Sequence, residues 1–252
     1  CYPNLLKHNK MKLNLFTLSV LTSLSLITYS CAQQERKYNN DDNQITKVAV
    51  THYSDLGVSV WNIKVKGTAG KTTPTPIGTM DGAPVLGYVF PTSLKPVDVG
   101  FSDTEGIVAM ALTSHPDFDD TPLWDENNDA NFANDGIIWH PHRVILHEDK
   151  RVAGGLAVKQ FTKADNVTLP PTNPGMPMYM DSPGFPVTTK GNSIKVVIPD
   201  YRMNNQTSFK YDGVAAYMIV NTSKKDMPML GVYDVFSIAS GDLSLPYTVK
   251  NK

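Results

Sequence analysis

Short apolar segments with a two-residue alternation recur along the chain from about residue 46 to its end. In the clearest of them, Val58–Lys66, apolar and polar residues alternate from Trp61 onward. This alternation is typical of a half-buried β-strand, because successive side chains of a strand point to opposite faces. The segments predicted to be strands are Thr46–Thr51, Val58–Lys66, Val85–Phe90, Val97–Phe101, Gly106–Thr113, Gly136–Leu146, Ala153–Phe161, Ser193–Ile198, Val214–Val220, Met229–Ile238 and Tyr247–Lys250.

Helical patterning is missing from the same region of the sequence. No window of a dozen residues there has a clear 3.6-residue apolar period, and 18 Pro with 17 Gly would interrupt most helices. We therefore predict one all-β domain over residues 45–252, a β-sandwich or jelly-roll-like fold of about ten strands. Two long loops, His115–Asp135 and Asn166–Thr189, are predicted to be functional or disordered, because loops of this length in compact domains are usually one or the other.

The N-terminal region has the pattern of an export signal. An uncharged, mostly apolar run follows Met11 and ends at Ser30-Cys31-Ala32, which predicts a signal peptide over residues 11–30. A small residue followed by Cys resembles the bacterial lipoprotein signal, and this resemblance implies acylation of Cys31. Residues 1–10 are interpreted as an untranslated leader and residues 31–44 as a flexible tether. The expected location is the bacterial cell envelope, with a lipid anchor in the membrane, or else the secreted fraction.

Cysteine content and charge limit the chemistry available to the exported chain. Cys1 and Cys31 are the two cysteines, so a chain that begins at an acylated Cys31 has no thiol for a disulfide or a metal site. The formal net charge is −1, and residues 1–30 contain no acidic residue, so their removal makes the chain more negative. Nucleic acid is not an expected partner, because its binding needs a basic surface. An envelope protein or a glycan is a possible partner.

An acidic segment points to a hard cation. Between Lys95 and Arg143 there is no Lys or Arg, whereas ten carboxylates occur. Within this segment Asp125, Asn127 and Asp129 alternate as in the first half of an EF-hand loop, and Asp135 follows. The turn glycine and the final glutamate of that motif are replaced by Ala130 and Gly136. We predict a looser calcium-type loop; the alternative is a metal-free acidic loop built on Asx turns.

A His-x-His pair comes directly after the acidic segment. His140 and His142 share one face of an extended strand, which is an arrangement suited to zinc or copper. The Pro between them indicates an edge strand, a bulge or a strand mouth. His115 is the preferred third ligand, and the further candidates are His52, His147 and Glu148. The alternative is that these histidines have only structural roles.

Two further patterns bear on the metal. The order of Gly136, the His-x-His pair and Glu148 resembles the first motif of the cupin family, which implies a metal-binding jelly roll. The spacings differ from that motif, and all histidines precede residue 148, so no second motif follows. Two Met-Pro-Met segments, at Met176–Met178 and Met227–Met229, could supply thioether ligands for copper, although methionines more commonly fill cores.

Three functions remain open from the sequence. The preferred one is a non-enzymatic envelope protein that binds metal through the acidic loop and the His-x-His strand. The second is a cupin-like metal-dependent enzyme. The third is a calcium-stabilised module that binds a carbohydrate or a surface through an exposed strip of aromatic residues. The candidate aromatic residues are Trp61, Trp124, Trp139, Tyr179 and Phe185.

Overall fold

The computed structural model describes residues 37–120, 125, 128–131 and 135–252. Within it, Tyr38–Lys252 forms one compact unit. The predicted leader, the signal peptide and Cys31 lie outside the described residues. Among the described residues, no helix has both the length and the apolar character needed to cross a bilayer.

The regular structure of the described chain is almost entirely β-strand, which confirms the all-β prediction. Apart from Lys37 and Tyr38, the helical residues among those described lie in short 3-10 turns at Asp41–Asn43, Pro96–Val99, Asp135–Ile137 and Asp200–Met203. The strands are β1 (Ile45–Tyr53), β2 (Val58–Val65), β3 (Pro84–Pro91), β4 (Ile107–Ser114), β5 (His140–Glu148), β6 (Leu156–Val158), β7 (Met180–Asp181), β8 (Val187–Lys190), β9 (Ser193–Pro199), β10 (Lys210–Tyr211), β11 (Val214–Val220), β12 (Leu230–Ile238), β13 (Tyr247–Thr248) and β14 (Lys250–Asn251).

Six of the strands close into a barrel. Their order is β4-β3-β11-β12-β6-β5, and pairing of β5 with β4 completes the ring. All of these pairs are antiparallel. Closure reduces the length of free edge in the ring, although β12 and β6 pair at a single position, Gly231 with Ala157. The short β7 pairs with β5 on the edge that β6 also uses.

A five-stranded sheet packs against one side of the barrel. Its order is β14-β1-β2-β9-β8, and β10 and β13 form a separate two-stranded ribbon. In β2 every second residue is buried, as the alternation in Val58–Lys66 predicts. Trp61 of this sheet contacts Phe90 of the barrel edge to face, with ring centroids 5.3 Å apart. The sheet therefore covers the outer surface of the barrel with its apolar face.

Barrel strands are buried on both faces, and their alternate residues enter two different cores. In β3, Leu86, Tyr88 and Phe90 point outward to the five-stranded sheet. Val85 and Val89 point into the barrel. We call the first cluster the outer core and the second the barrel interior.

Several local predictions differ from the structure. The predicted strand Gly136–Leu146 starts only at His140, after the 3-10 turn Asp135–Ile137, and Ala153–Phe161 is a strand only over Leu156–Val158. Val97–Phe101, predicted as a strand, contains a 3-10 turn at Pro96–Val99, because Pro starts the turn and Gly100 ends it with a φ of 93°. The ordered domain also begins before the predicted residue 45. Tyr38 is fully buried and stacks on Tyr217 with ring centroids 5.6 Å apart, so the end of the predicted tether is part of the domain.

Candidate metal centre

Four side chains converge at one end of the barrel interior. They are His115, Asp120, His140 and His142, all of them buried. One ligand atom from each lies within 4.8 Å of the others, an arrangement that could hold a metal ion. We call this end of the barrel the histidine end and the opposite end the far end.

Strand register explains how the three histidines meet. β4 and β5 pair so that Thr113 lies opposite His140 and Ala111 opposite His142. Alternate residues of a strand share a face, so His140 and His142 both point into the barrel. His115 comes two residues after Thr113 and continues that face just beyond the end of β4. Pro141 separates the two strand histidines. In this part of β5, β4 is the only described strand that pairs with it.

Asp120 completes the cluster from the loop after β4. Its Oδ1 atom lies 3.1 Å from Nε2 of His115, 3.4 Å from Nε2 of His140 and 3.3 Å from Nε2 of His142. The Nε2 atoms of His115 and His140 are 2.9 Å apart. Three imidazole nitrogens and one carboxylate oxygen therefore face a common point.

Hydrogen bonds on the other side of each ring fix the orientation of the histidines. Nδ1 of His115 lies 2.9 Å from the carbonyl oxygen of Phe118, and Nδ1 of His140 lies 2.5 Å from that of Ile138. A carbonyl can only accept, so both Nδ1 atoms carry the proton and, in a neutral ring, Nε2 keeps a lone pair. Nδ1 of His142 lies 3.0 Å from the Ser182 hydroxyl. This pattern is typical of metal-binding histidines.

The electrostatics of the cluster favour a cation. Burial raises the pKa of Asp120, but the neighbouring His142 and His115 and the contacts with His115 and His140 outweigh it and hold that pKa well below its usual range. Asp120 is therefore a buried carboxylate. Oδ1 of Asp120 and Nε2 of His142 are both buried. Among the described residues, neither atom has an aligned hydrogen-bond partner. Buried polar atoms without such partners are costly, and a shared ion satisfies both.

Close packing behind the site sets the position of His115. Gly136 lies against the loop, and an added Cβ would be 2.1 Å from the carbonyl oxygen of Phe118 and 2.8 Å from Nδ1 of His115. Its carbonyl oxygen accepts a hydrogen bond of 2.6 Å from the backbone N–H of His115. The ring of Phe118 also stacks on that of His115, with centroids 4.2 Å apart. Glycine at position 136 therefore lets the backbone pack directly against His115 and Phe118, and a larger residue would displace them.

The first Met-Pro-Met segment lies beside the histidines. Met176, Met178 and Met180 line a cavity of about 20 Å³ together with His115, Asp120 and His142. Met178 and Met180 are buried. Met229, from the second segment, packs against the barrel interior but does not line this cavity. Both of the predicted long loops therefore contribute to the site, since His115 and Asp120 come from one and Met178 and Ser182 from the other.

The other candidate third ligands lie elsewhere. His52 is in the five-stranded sheet, where its Nε2 contacts Asp200 Oδ2 at 2.9 Å. His147 belongs to β5, but it is an odd number of residues from His142 and points to the other face, half exposed. Glu148 follows it and is exposed. The predictions that His52, His147 or Glu148 join the histidine pair are therefore wrong. His52 belongs to another sheet and His147 points to the other face of β5, whereas Glu148 is exposed and lies six residues, roughly 20 Å of strand, from His142.

The acidic loop is only partly described. Asp125 accepts backbone N–H groups of Asp129 and Ala130 at 3.0 and 2.6 Å. Asp129 accepts that of Asn131 at 2.8 Å, so the loop contains the Asx turns of the metal-free alternative. Asp135 is buried and lies in the 3-10 turn that precedes β5. Asn127 lies outside the described residues, and the calcium-type loop stays a prediction.

The aromatic strip expected for carbohydrate binding is not formed by the four candidates that the structure describes. Trp61, Trp139, Tyr179 and Phe185 are all buried in the outer core. Trp124 lies outside the described residues. These four residues therefore stabilise the core and do not form a binding surface.

Asp120 and Ser182 are the two site residues that the sequence did not single out. Asp120 is one of ten carboxylates in the acidic segment, and nothing in the sequence separates it from the adjacent Asp119. Ser182 belongs to a loop without periodicity. Both reach the site through loop conformation, which strand patterning does not predict. No protein family, curated protein or solved structure matches this chain.

Proposed function

We propose that this protein binds one transition-metal ion through Nε2 of His115, His140 and His142 and the carboxylate of Asp120. The observation that carries the proposal is the 2.9 Å contact between the Nε2 atoms of His115 and His140. Both Nδ1 atoms face carbonyl oxygens, so neutral rings would place two lone pairs against each other. A cation between the two nitrogens turns this repulsion into two metal–ligand bonds.

Distances and donor types support a first-row transition metal. A tetrahedral ion with bonds of about 2.0 Å holds its ligand atoms about 3.3 Å apart, close to the contacts of Asp120 Oδ1 with the three rings. Imidazole suits zinc, copper and iron, whereas calcium and magnesium prefer ligand sets made of oxygen. Zinc and copper are therefore the first metals to test, and the buried thioethers of Met178 and Met180 beside the site favour copper in its reduced state.

We also propose that the domain acts in the cell envelope of a bacterium, exported by residues 11–30 and anchored through acylated Cys31. The sequence pattern at Ser30-Cys31-Ala32 supports this location. An exported chain without a further thiol would need imidazole, carboxylate or thioether ligands for a metal, and those are the groups at the histidine end.

Metal analysis of untagged protein tests the proposed ligands. We expect about one zinc or copper ion per chain in the wild type, and loss of it in the double variant His140→Ala/His142→Ala and in Asp120→Ala, because removal of ligands leaves an incomplete shell. The matched control is His147→Ala, which removes a histidine of the same strand that points away from the cluster. A stoichiometric transition metal that survives the double substitution would contradict the proposal.

A metal-dependent enzyme is the second candidate function, because a cavity reaches the site. His142 lines both the small cavity beside the methionines and a larger one inside the barrel. A first-row metal that accepts a fifth ligand can bind a substrate group from such a cavity. Binding of small molecules to the metal-loaded protein separates this candidate from a storage or structural role.

A further inference from the structure

The barrel interior holds a cavity that the metal ligands do not fill. Its volume is about 70 Å³, and its surface is almost wholly apolar. A water molecule needs about 10–15 Å³ on this measure, so the space corresponds to roughly five waters. An apolar cavity of this kind stays dry or takes an apolar molecule, because water inside it would lack hydrogen-bond partners.

The residues of the wall explain why space is left. Small side chains, among them Ala111 of β4 and Ala216 of β11, line the cavity and leave space that larger side chains would fill. β11 lies opposite β5 in the ring, so Ala216 faces the wall that carries His142. Among the described residues, the buried hydrophobic side chains of the barrel interior are Ala, Val, Leu and Met, with no Phe, Tyr or Trp. The side chains of the barrel interior therefore leave part of its volume unfilled.

The cavity runs from the metal site toward the far end. Thr113 and His142 supply polar groups at the histidine end, and both also line the small cavity beside Asp120. Leu243, which is half-buried, lines the opposite end. It follows β12, whose last residue Ile238 pairs with Val214 at the start of β11, away from the histidines. A molecule in the cavity would thus have one end at the metal and the other behind Leu243.

We propose that the barrel interior binds a small amphiphile, with an oxygen-containing head on the metal ion and an apolar tail of about five to six heavy atoms between Ala216 and His142. This inference rests on the proposed metal site and names the class of ligand that the site takes. A metal ion that expands from four to five ligands would bind the head group, and the bound tail removes apolar surface from water.

Cobalt-loaded full-length protein and a series of straight-chain carboxylates test the proposal. Cobalt(II) absorption reports first whether the site holds metal, and its change on titration with acetate, butyrate, hexanoate and octanoate gives the four dissociation constants. We expect affinity to rise about fourfold for each added methylene up to about hexanoate, and then to level off when the cavity is full.

Two substitutions away from the metal ligands locate the tail. Ala216→Val narrows the cavity, so affinity is expected to stop rising at a shorter acid than in the wild type. Leu243→Ala lengthens the cavity, so affinity is expected to keep rising to a longer acid. Leu243 lies in a half-exposed loop, where the substitution is not expected to unfold the protein. Both variants should take up cobalt like the wild type, because neither residue belongs to the proposed ligand set.

The outcomes separate the two proposals. If cobalt binds and the four acids have equal affinity, the cavity does not hold the tail and the amphiphile proposal is wrong, while metal binding stands. An increase with chain length that neither Ala216→Val nor Leu243→Ala changes would place the tail outside the barrel and also overturn it. Failure to bind cobalt or any other transition metal would overturn the proposed function and this inference together.

Discussion

The two faces of the barrel wall are built from the same strands but with different side chains. The outer core is rich in aromatic residues, among them Trp61, Tyr88 and Phe90. Their rings contact one another closely; Trp61 and Phe209, for example, have centroids 5.2 Å apart. The barrel interior contains Ala, Val, Leu and Met, and it holds the cavities and the buried histidines. One face fills its space, and the other keeps some of it open.

This difference separates stability from function along each strand. Residues that face the outer core join the barrel to the five-stranded sheet and bury large apolar areas, which is the main source of folding free energy. Residues that face inward surround a group of polar side chains that costs stability without an ion. A single strand such as β5 contributes to both, with Ile145 outward and His142 inward.

The largest expected effect is on the free energy of unfolding, which a Leu→Ala substitution should lower more in the outer core than in the barrel interior. Leu112→Ala removes a fully buried side chain of the outer core and should lower the free energy of unfolding by about 4–5 kcal/mol, because a closely packed site cannot collapse around the new cavity. Leu146→Ala removes a side chain that already lines the interior cavity, so the expected cost is about 2–3 kcal/mol. Urea unfolding of metal-free protein measures both. Equal losses would contradict the proposed difference in packing.

A smaller effect, confined to the metal site, is expected from Gly136→Ala. The new methyl group would press on the carbonyl oxygens of Phe118 and His115 and on Nδ1 of His115, so His115 must move. We expect metal affinity to fall at least a hundredfold, measured by competition with a chromogenic chelator. Gly87→Ala is the matched control, because its methyl group would meet the flexible end of Met218 inside the barrel. Unchanged affinity in Gly136→Ala would mean that this close approach does not position His115.

Removal of the hydrogen bond behind His142 should have a more moderate effect. Ser182→Ala leaves Nδ1 of His142 without its 3.0 Å hydroxyl contact, and loss of such a partner typically weakens metal binding about 10- to 100-fold. Ser193→Ala is the control, since that buried serine bonds to Asn62 in the five-stranded sheet. Isothermal titration with zinc measures both variants. A similar loss in the control would indicate general destabilisation instead of a role at the metal.

The comparison of the two faces also shows which parts of the fold the sequence pattern predicts. Alternation in Val58–Lys66 predicts a strand correctly, because β2 has one face on a core and the other in solvent. Such alternation is absent from β3, where all eight residues are buried, and a continuous apolar run does not reveal that its two faces enter different cores. Closure of the barrel depends on the pairing of β4 with β5, which local pattern does not specify.

The candidate site was predictable mainly where it lies on strands or, like His115, directly after one. Parity places His140 and His142 on one face, and it also excludes His147 once β5 is known to extend that far. Asp120 and Ser182 enter the cluster through irregular loops whose path depends on contacts distant in sequence, such as the packing of Gly136 against Phe118. The choice of Asp120 over other carboxylates in the acidic segment is therefore a property of tertiary structure.

The smallest expected effect concerns a turn at the histidine end whose stability is electrostatic. Asp81, just before β3, accepts hydrogen bonds from the backbone and side chain of Ser223 and from Thr222, just after β11. The Ser223 hydroxyl and the backbone N–H groups lower the pKa of Asp81 to about 2. Because this pKa is lower in the folded than in the unfolded chain, Asp81 stabilises the fold above about pH 4, and the contribution is lost as the pH falls toward 2.

Urea unfolding of metal-free wild type and Asp81→Asn at a series of pH values tests this contribution. Their free energies of unfolding should differ most at neutral pH and converge near pH 2, since the titration of every other group is common to both. A difference that stays constant over that range would show that the turn is held by packing, as in the outer core, and not by the charge of Asp81.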